Sequence, residues 1–262
     1  MKLLIKLGGT LLDDSDSRSR LARELTDLRN QGHLLVVVHG GGKQMTRFLG
    51  ERGVESRFVN GLRVTTPEVL DSVLKVFAGT VNHQLVSSLV EAGAMAVGLT
   101  GIDALLTEAE QLDPALGAVG RPVRSNTAVL DVLTANGFLP VVACVAGDRQ
   151  GRIFNVNADA MAVSCAAGFT VDRLIFLTDV AGVRAADGTV IPVLRPADCQ
   201  HLIETGVATG GMEAKLNAAA AAIKGGIGQV VIAPGALERA AARIIAGEQI
   251  GTRLVPQEAT HA

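Results

Sequence analysis

The sequence predicts an α/β fold in which a mostly parallel central sheet is covered by helices on both faces. Three observations carry that prediction. Short runs of Val, Ile and Leu are apolar at every position, as expected of strands buried on both faces. Segments of helical period alternate with these runs along the whole chain. Glycine-rich turns follow several of the runs, where a parallel sheet places its ligands.

The runs are Leu3–Leu7, Leu34–Val38, Ala94–Leu99, Leu139–Val145, Leu174–Thr178 and Val230–Ala233. Between the first two, Ser17–Arg29 repeats Leu21, Leu25 and Leu28 after an Asp-Ser-Asp-Ser run suited to cap a helix. Further helices are expected over Met45–Gly53 and over Pro67–Ala92, where Pro67 suits a first helical position. Asn126–Asn136, Ala158–Gly168, Pro196–Gly206, Gly211–Lys224 and Leu237–Ala246 complete the set. Hairpin-like pieces interrupt the alternation near Arg57–Val64, Ala104–Val119, Gly147–Arg152 and Gly182–Ile191. A change of character near residue 170 divides the chain into an N-terminal lobe, 1–170, and a C-terminal lobe, 171–262, sharing one continuous sheet.

The 262 residues, 48% hydrophobic and 19% charged, lie well outside the disordered range. A formal charge of −2, no Trp, no Tyr and only seven Phe leave neither the charge nor the stacking platforms for nucleic acid. No apolar run approaches the ~18 uncharged residues of a membrane span. The first strand begins at Lys2, which leaves no room for a signal peptide. Cys144, Cys165 and Cys199 are far apart, as expected of reduced core thiols in a cytoplasmic protein.

Three turns are expected at one sheet edge: IKLGGTLL (5–12), VVVHGGGKQM (36–45) and TDVAGV (178–183). The second fits neither common phosphate template. A dinucleotide turn starting at Gly40 needs glycine where Met45 stands, and a P-loop needs glycine at Val37 and Ser or Thr at Gln44. Lys43 is therefore read as a solvated helix-start residue and His39 as a structural residue at a strand end. His33, His83, His201 and His261 fall at no recognisable site. Lys6 is a lone charge inside an apolar strand; it either meets an anion or snorkels from a sheet edge. In FNVNADAMA (154–162), Asn155, Asn157 and Asp159 alternate and share one side of extended backbone, and Asn157 or Asp159 is placed to cap the next helix. GGMEAKLNAA (210–219) opens a helix with two glycines and carries Lys215 in its first turns.

Together with NGLRVTT (60–66) and VGLTGID (97–103), these segments resemble, in order and spacing, the amino acid kinase family. The resemblance runs from residue 2 to 255. NGLRVT and NVNAD are its most selective parts, and within the family they resemble members that phosphorylate N-acetyl-L-glutamate. The resemblance implies a three-layer αβα sandwich. It further implies transfer of the γ-phosphoryl group of ATP, with Mg²⁺ held mainly by the nucleotide phosphates, to the side-chain carboxylate of N-acetyl-L-glutamate in arginine biosynthesis. Two alternatives accompany it: an aminoadipate-type acyl kinase of lysine biosynthesis, and a non-catalytic amino-acid sensor.

Carried onto this chain, the resemblance makes Lys6 and Lys215 the lysines that stabilise the transferring phosphoryl group and Asp159 the carboxylate that holds both. Gly8 and Gly9 match the turn beside the ATP phosphates. Gly41 and Gly42 match the backbone receiving the acyl substrate, and Arg63 and Asn155 the groups that bind its carboxylate and amide ends. Asp179, Val180, Ala181, Gly182, Val183 and Arg184, with Val207, Ala208 and Thr209, match segments around the nucleotide. Lys43, and Glu213-Ala214 before Lys215, depart from the family pattern. A homodimer is expected, paired through the Pro67–Ala92 helix and the neighbouring sheet edge.

Overall fold

The computed structural model describes residues 1–257; His261 and the last residues of the expected C-terminal lobe lie outside the described residues. The chain opens with strand β1 (Lys2–Leu7), helix α1 (Ser15–Asn30), β2 (Leu34–His39) and α2 (Gly42–Gly50). A hairpin of β3 (Phe58–Val59) and β4 (Leu62–Arg63) leads into α3 (Pro67–Val73), a π-helical stretch (Leu74–Val81) and α4 (Asn82–Glu91). Then come β5 (Ala96–Thr100), β6 (Thr107–Gln111), β7 (Val119–Ser125), α5 (Ala128–Ala135), β8 (Leu139–Ala143), β9 (Val145–Gly147) and β10 (Ile153–Val156). The rest comprises α6 (Ala158–Phe169), β11 (Arg173–Thr178), β12 (Val193–Leu194), α7 (Pro196–Glu204), α8 (Gly210–Lys224), β13 (Gln229–Pro234), α9 (Ala240–Ile245) and β14 (Thr252–Leu254).

Eight strands form one sheet in the order β12-β14-β13-β11-β1-β2-β8-β5, parallel throughout except for the β13–β14 pair. Each of the six apolar runs contributes a strand to this sheet, and Leu3, Leu4, Ile5 and Leu7 of β1 are fully buried at its centre. Helices pack on both faces, giving the α/β architecture that the alternation predicts. The hairpin pieces have a less expected fate. The strands β10, β7, β6 and β9 close into a separate four-stranded unit beside the main sheet. The expected run Leu139–Val145 therefore divides at Cys144, with β8 in one unit and β9 in the other.

Local chemistry accounts for several helix starts. Asp14 caps α1 by accepting from the Ser17 N–H at 2.8 Å, and Thr66 caps α3 ahead of Pro67. Two ends differ from expectation. The helix α2 begins at Gly42 rather than Met45, because Gly41 is already its extended N-cap residue. The last helix starts at Ala240 rather than Leu237, where a distant residue caps it: Glu24 of α1 accepts from the Ala241 and Ala242 N–H groups at 2.6 and 3.1 Å. The expected long helix over Pro67–Ala92 is continuous, but its centre is wound as a π-helix, which apolar periodicity does not disclose.

Candidate active site

Parallel pairing brings the three turns together. β1 lies between β11 and β2, with Lys6 opposite Phe176 on one side and Val38 on the other. All three strands end at one edge, so Gly8-Gly9, Gly40–Gly42 and Thr178–Val180 become neighbours. Gly8 N–H donates to Leu177 O at 2.8 Å, and Gln44 Nε2 donates to Gly9 O at 3.3 Å, which ties the first turn to both others. Gln44 is the residue that breaks the P-loop template, and here it is buried. Lys43 beside it is exposed.

The charged centre lies over β1. Lys6 Nζ is 2.8 Å from Asp159 Oδ1, and Lys215 Nζ is 2.7 Å from Oδ2, with all three side chains almost wholly buried. Lys6 comes from the central strand, Asp159 from the first turn of α6, and Lys215 from the second turn of α8. Lys6 is thus the strand charge that meets an anion. The alternation read from Asn155, Asn157 and Asp159 does not persist as extended backbone. The chain turns at Asn157, whose side chain caps α6 by accepting from the Asp159 and Ala160 N–H groups at 2.9 and 3.1 Å. That turn aims Asp159 between the lysines.

Burial alone would raise the Asp159 carboxyl, but the two ammonium groups more than reverse this and hold it below its ordinary value. Lys215 is displaced downward by burial and then by the like charge of Lys6, against the pull of Asp159. One carboxylate faces two ammonium groups, so the cluster carries a net positive charge at the sheet edge and fits an incoming anion.

On one side of this centre is a cavity of about 170 Å³, lined by Gly40, Gly41, Gly42, Arg63, Phe77 and Asn155 among others. Arg63 is buried over the Phe58 ring at 4.6 Å, and its Nη2 donates to Thr46 Oγ1 at 2.8 Å and Gly42 O at 3.1 Å. Its Nη1 donates to Ser56 Oγ. Asn155 Nδ2 donates to Thr65 Oγ1 at 3.1 Å, and that hydroxyl donates to Arg63 O at 2.8 Å. Thr65 has one proton, so Asn155 must supply the other hydrogen bond, which leaves Asn155 Oδ1 as an acceptor. Thr46 and Ser56 carry no motif in the sequence, and Thr65, though it lies within NGLRVTT, is not singled out there; only the folded chain links the three to Arg63 and Asn155.

Gly41 has a steric requirement. A Cβ there would lie 2.9 Å from Phe77 Cδ1 and 3.2 Å from Val81 Cγ2, both on the π-helical stretch. Gly41→Ala is expected to push that stretch back and raise KM for the acyl substrate about tenfold or more, by displacing the turn that lines the cavity. Steady-state kinetics varying each substrate separately will check this, the KM for nucleotide being expected to change far less.

On the other side, Asp159, Asp179, Val180, Gly210, Gly211 and Lys215 line a cavity of about 370 Å³, together with Met212 and with Asn60 and Gly61 of the β3–β4 turn. Thr209 is the N-cap residue of α8, and the first N–H groups of that helix open beside Lys215. Of the other residues matched to the nucleotide, Val183 and Ala208 are buried in the core. The Val183 N–H is held by Thr252 Oγ1 at 2.8 Å, while Ala181, Gly182, Arg184 and Val207 do not line this cavity. Gly210, Gly211, Met212 and Asn60 are wall residues that the sequence reading did not single out, although Asn60 opens NGLRVTT and the other three open GGMEAKLNAA. A larger cleft of about 780 Å³ adjoins it between β7, α6 and α8, but contains none of Lys6, Asp159 and Lys215. Asp159 and Lys215 thus mark the cavity of about 370 Å³, and the smaller one adjoins it through the shared wall residues Gly61, Leu62 and Asn157.

Residues 1–234 match the model of the amino acid kinase family. A protein of Solibacter usitatus (strain Ellin6076) named acetylglutamate kinase is 63% identical over 97% of this chain and 99% of its own. A protein of the same name from Acidobacterium capsulatum is 42% identical over 89% of this chain and 91% of its own. A solved structure from Streptococcus mutans UA159 superposes with a TM-score of 0.83 at 27% identity, covering 97% of this chain and 98% of the other. Sequence, fold and the paired lysines therefore agree that this chain belongs to the amino acid kinase family.

Proposed function

We propose that this kinase transfers the γ-phosphoryl group of ATP to the side-chain carboxylate of N-acetyl-L-glutamate, giving N-acetyl-L-glutamyl 5-phosphate for arginine biosynthesis. The observation that carries the reading is the Lys6–Asp159–Lys215 cluster, of which Asp159 and Lys215 line the cavity of about 370 Å³. The relatives named acetylglutamate kinase point to the acceptor. A carboxylate acceptor is already ionised at neutral pH and needs no general base. What the reaction requires is compensation of charge as two anions approach, together with their alignment.

In this reading Gly41 and Gly42 receive the reacting carboxylate, Arg63 grips the α-carboxylate, and Asn155 Oδ1 accepts from the acetamido N–H. Gly8, Gly9 and the start of α8 face the phosphates. The segments Asp179–Arg184 and Val207–Thr209 surround the remainder of the nucleotide. The Asp159 carboxylate is engaged by both lysines, so Mg²⁺ would be held mainly by the nucleotide phosphates, where it would offset their charge. Residues 1–170 form the acyl-binding lobe and 171–262 the nucleotide lobe, which close together and exclude water.

The proposed assembly is a cytoplasmic homodimer. It pairs through the helix running from α3 to α4 and the β5 edge, where Val90 and Met95 are about half exposed. Among the described residues, no helix is long and apolar enough to cross a membrane.

The test is ADP release across N-acetyl-L-glutamate, L-glutamate and aminoadipate-type acids, with hydroxylamine trapping the acyl phosphate as its hydroxamate. Turnover with N-acetyl-L-glutamate well above the others is expected. Preference for an aminoadipate-type acid would move the assignment to lysine biosynthesis, and binding without ADP formation would make the protein a sensor.

A further inference from the structure

Behind the acyl cavity lies a buried polar chain that the mechanism above leaves unused. His39, at the end of β2, is fully buried; its Nδ1 lies 2.8 Å from Gly40 O and its Nε2 3.0 Å from Asn82 Nδ2. Asn82 follows the π-helical stretch, and the same Nδ2 lies 3.0 Å from Val141 O on β8. On the far side, a Cβ at Gly98 of β5 would come 2.1 Å from Asn82 Oδ1. A glycine in that strand gives the amide its room.

The hydrogen bonds leave one consistent protonation pattern. Val141 O only accepts, so the Asn82 nitrogen must face it. The second Asn82 amide proton is then directed at His39 Nε2, which must carry a lone pair. The ring proton is therefore on Nδ1 and is donated to Gly40 O. The peptide between Gly40 and Gly41 is trans, so its N–H points opposite to its C=O. With Gly40 O drawn back into the protein, the Gly41 N–H faces the cavity that Gly40, Gly41 and Gly42 line.

We infer that His39 is a positioning residue of the acyl site: its Nδ1–H anchors the Gly40 carbonyl so that the Gly41 N–H is presented to the reacting carboxylate, and Asn82 sets the required tautomer. The inference rests on the assignment of that cavity to the acyl substrate. Burial holds the ring neutral, its pKa lowered to about 4. The Cys144 thiol donates to the His39 backbone carbonyl at 2.7 Å and is pushed up to about 12 by burial, so it too stays uncharged. A buried polar chain of this kind adds little to stability over an apolar filling of the same shape. What it supplies is a single orientation for one peptide group.

The experiment is long-range ¹H–¹⁵N NMR on full-length protein labelled with ¹⁵N-histidine and ¹⁵N-glycine, paired with kinetics of Asn82→Leu. His39 is expected as the neutral Nδ1–H tautomer throughout the neutral pH range, and N-acetyl-L-glutamate is expected to shift the Gly41 amide proton downfield. Asn82→Leu is expected to lower kcat/KM for the acyl acceptor about tenfold with the KM for ATP nearly unchanged. An Nε2–H tautomer, or a ring that titrates near neutrality, overturns the inference. An Asn82→Leu enzyme with unaltered acceptor kinetics does the same. Should Asn82→Leu fail to fold, the wild-type tautomer and the Gly41 shift decide by themselves. If the tautomer is as expected but N-acetyl-L-glutamate leaves Gly41 unmoved while another acid shifts it, the substrate assignment fails and the positioning role stands.

Discussion

Lys6→Ala is expected to lower turnover by about 10²–10³ or more, the range seen when one preorganised charge-stabilising donor is deleted, while the protein stays folded. Lys6 projects from the central strand into the site, with its ammonium 2.8 Å from Asp159. Its removal takes away one of two positive charges that meet the transferring phosphoryl group. It does not strand a buried carboxylate, because Lys215 still holds Asp159 at 2.7 Å. Lys6→Arg is expected to rescue little, since a planar guanidinium presents its donors in a different geometry. The measurements are ADP release at saturating substrates and thermal unfolding of each variant. A near-normal rate for Lys6→Ala would remove the residue from the mechanism.

Asp159→Asn is expected to be worse for stability and to change the pH profile. It leaves two buried ammonium groups facing each other without a counter-charge, a loss on the order of 3–5 kcal/mol for a broken buried pair. Nucleotide phosphates can supply the missing negative charge, so ATP should raise the melting temperature of Asp159→Asn more than that of the parent protein. The sign of the pH effect follows from Lys215, whose pKa burial and then Lys6 already lower while Asp159 raises it. The protonated form is the active one, so activity is lost as pH rises through the Lys215 pKa. Without Asp159 that pKa falls further, and the alkaline limb of kcat moves to lower pH. In the parent protein Asp159 itself adds no limb near neutrality, because its carboxyl is held below its ordinary value. An alkaline limb that stays in place would show that Asp159 does not control the lysine.

Several parts of this site are legible in the chain because their signals are local. A lysine inside the apolar strand Leu3–Leu7 is conspicuous, glycines after a run of valines mark a turn, and Asn157 before an apolar helix marks a cap. These follow from the period of a strand, the dihedral freedom of glycine and the unpaired N–H groups of a helix start, all of which act within a few residues.

The rest depends on contacts between distant residues. Lys6 and Asp159 are 153 positions apart, and the chain alone does not say that β1 lies between β2 and β11. The cap on α9 comes from Glu24, and the division of the expected Leu139–Val145 strand comes from a second β unit. Neither the π-helical stretch against Gly41 nor the hydroxyls of Thr46 and Ser56 around Arg63 left a mark in local pattern.

By itself, then, the sequence determined the α/β class, the strands and the residue types able to meet an anion, because backbone period and side-chain chemistry are properties of short segments. Only the tertiary structure decided which charges meet, which way the Asn155 and Asn82 amides face, and where the Gly41 N–H points. Those depend on strand order and on buried hydrogen bonds, whose partners are chosen by the packed fold.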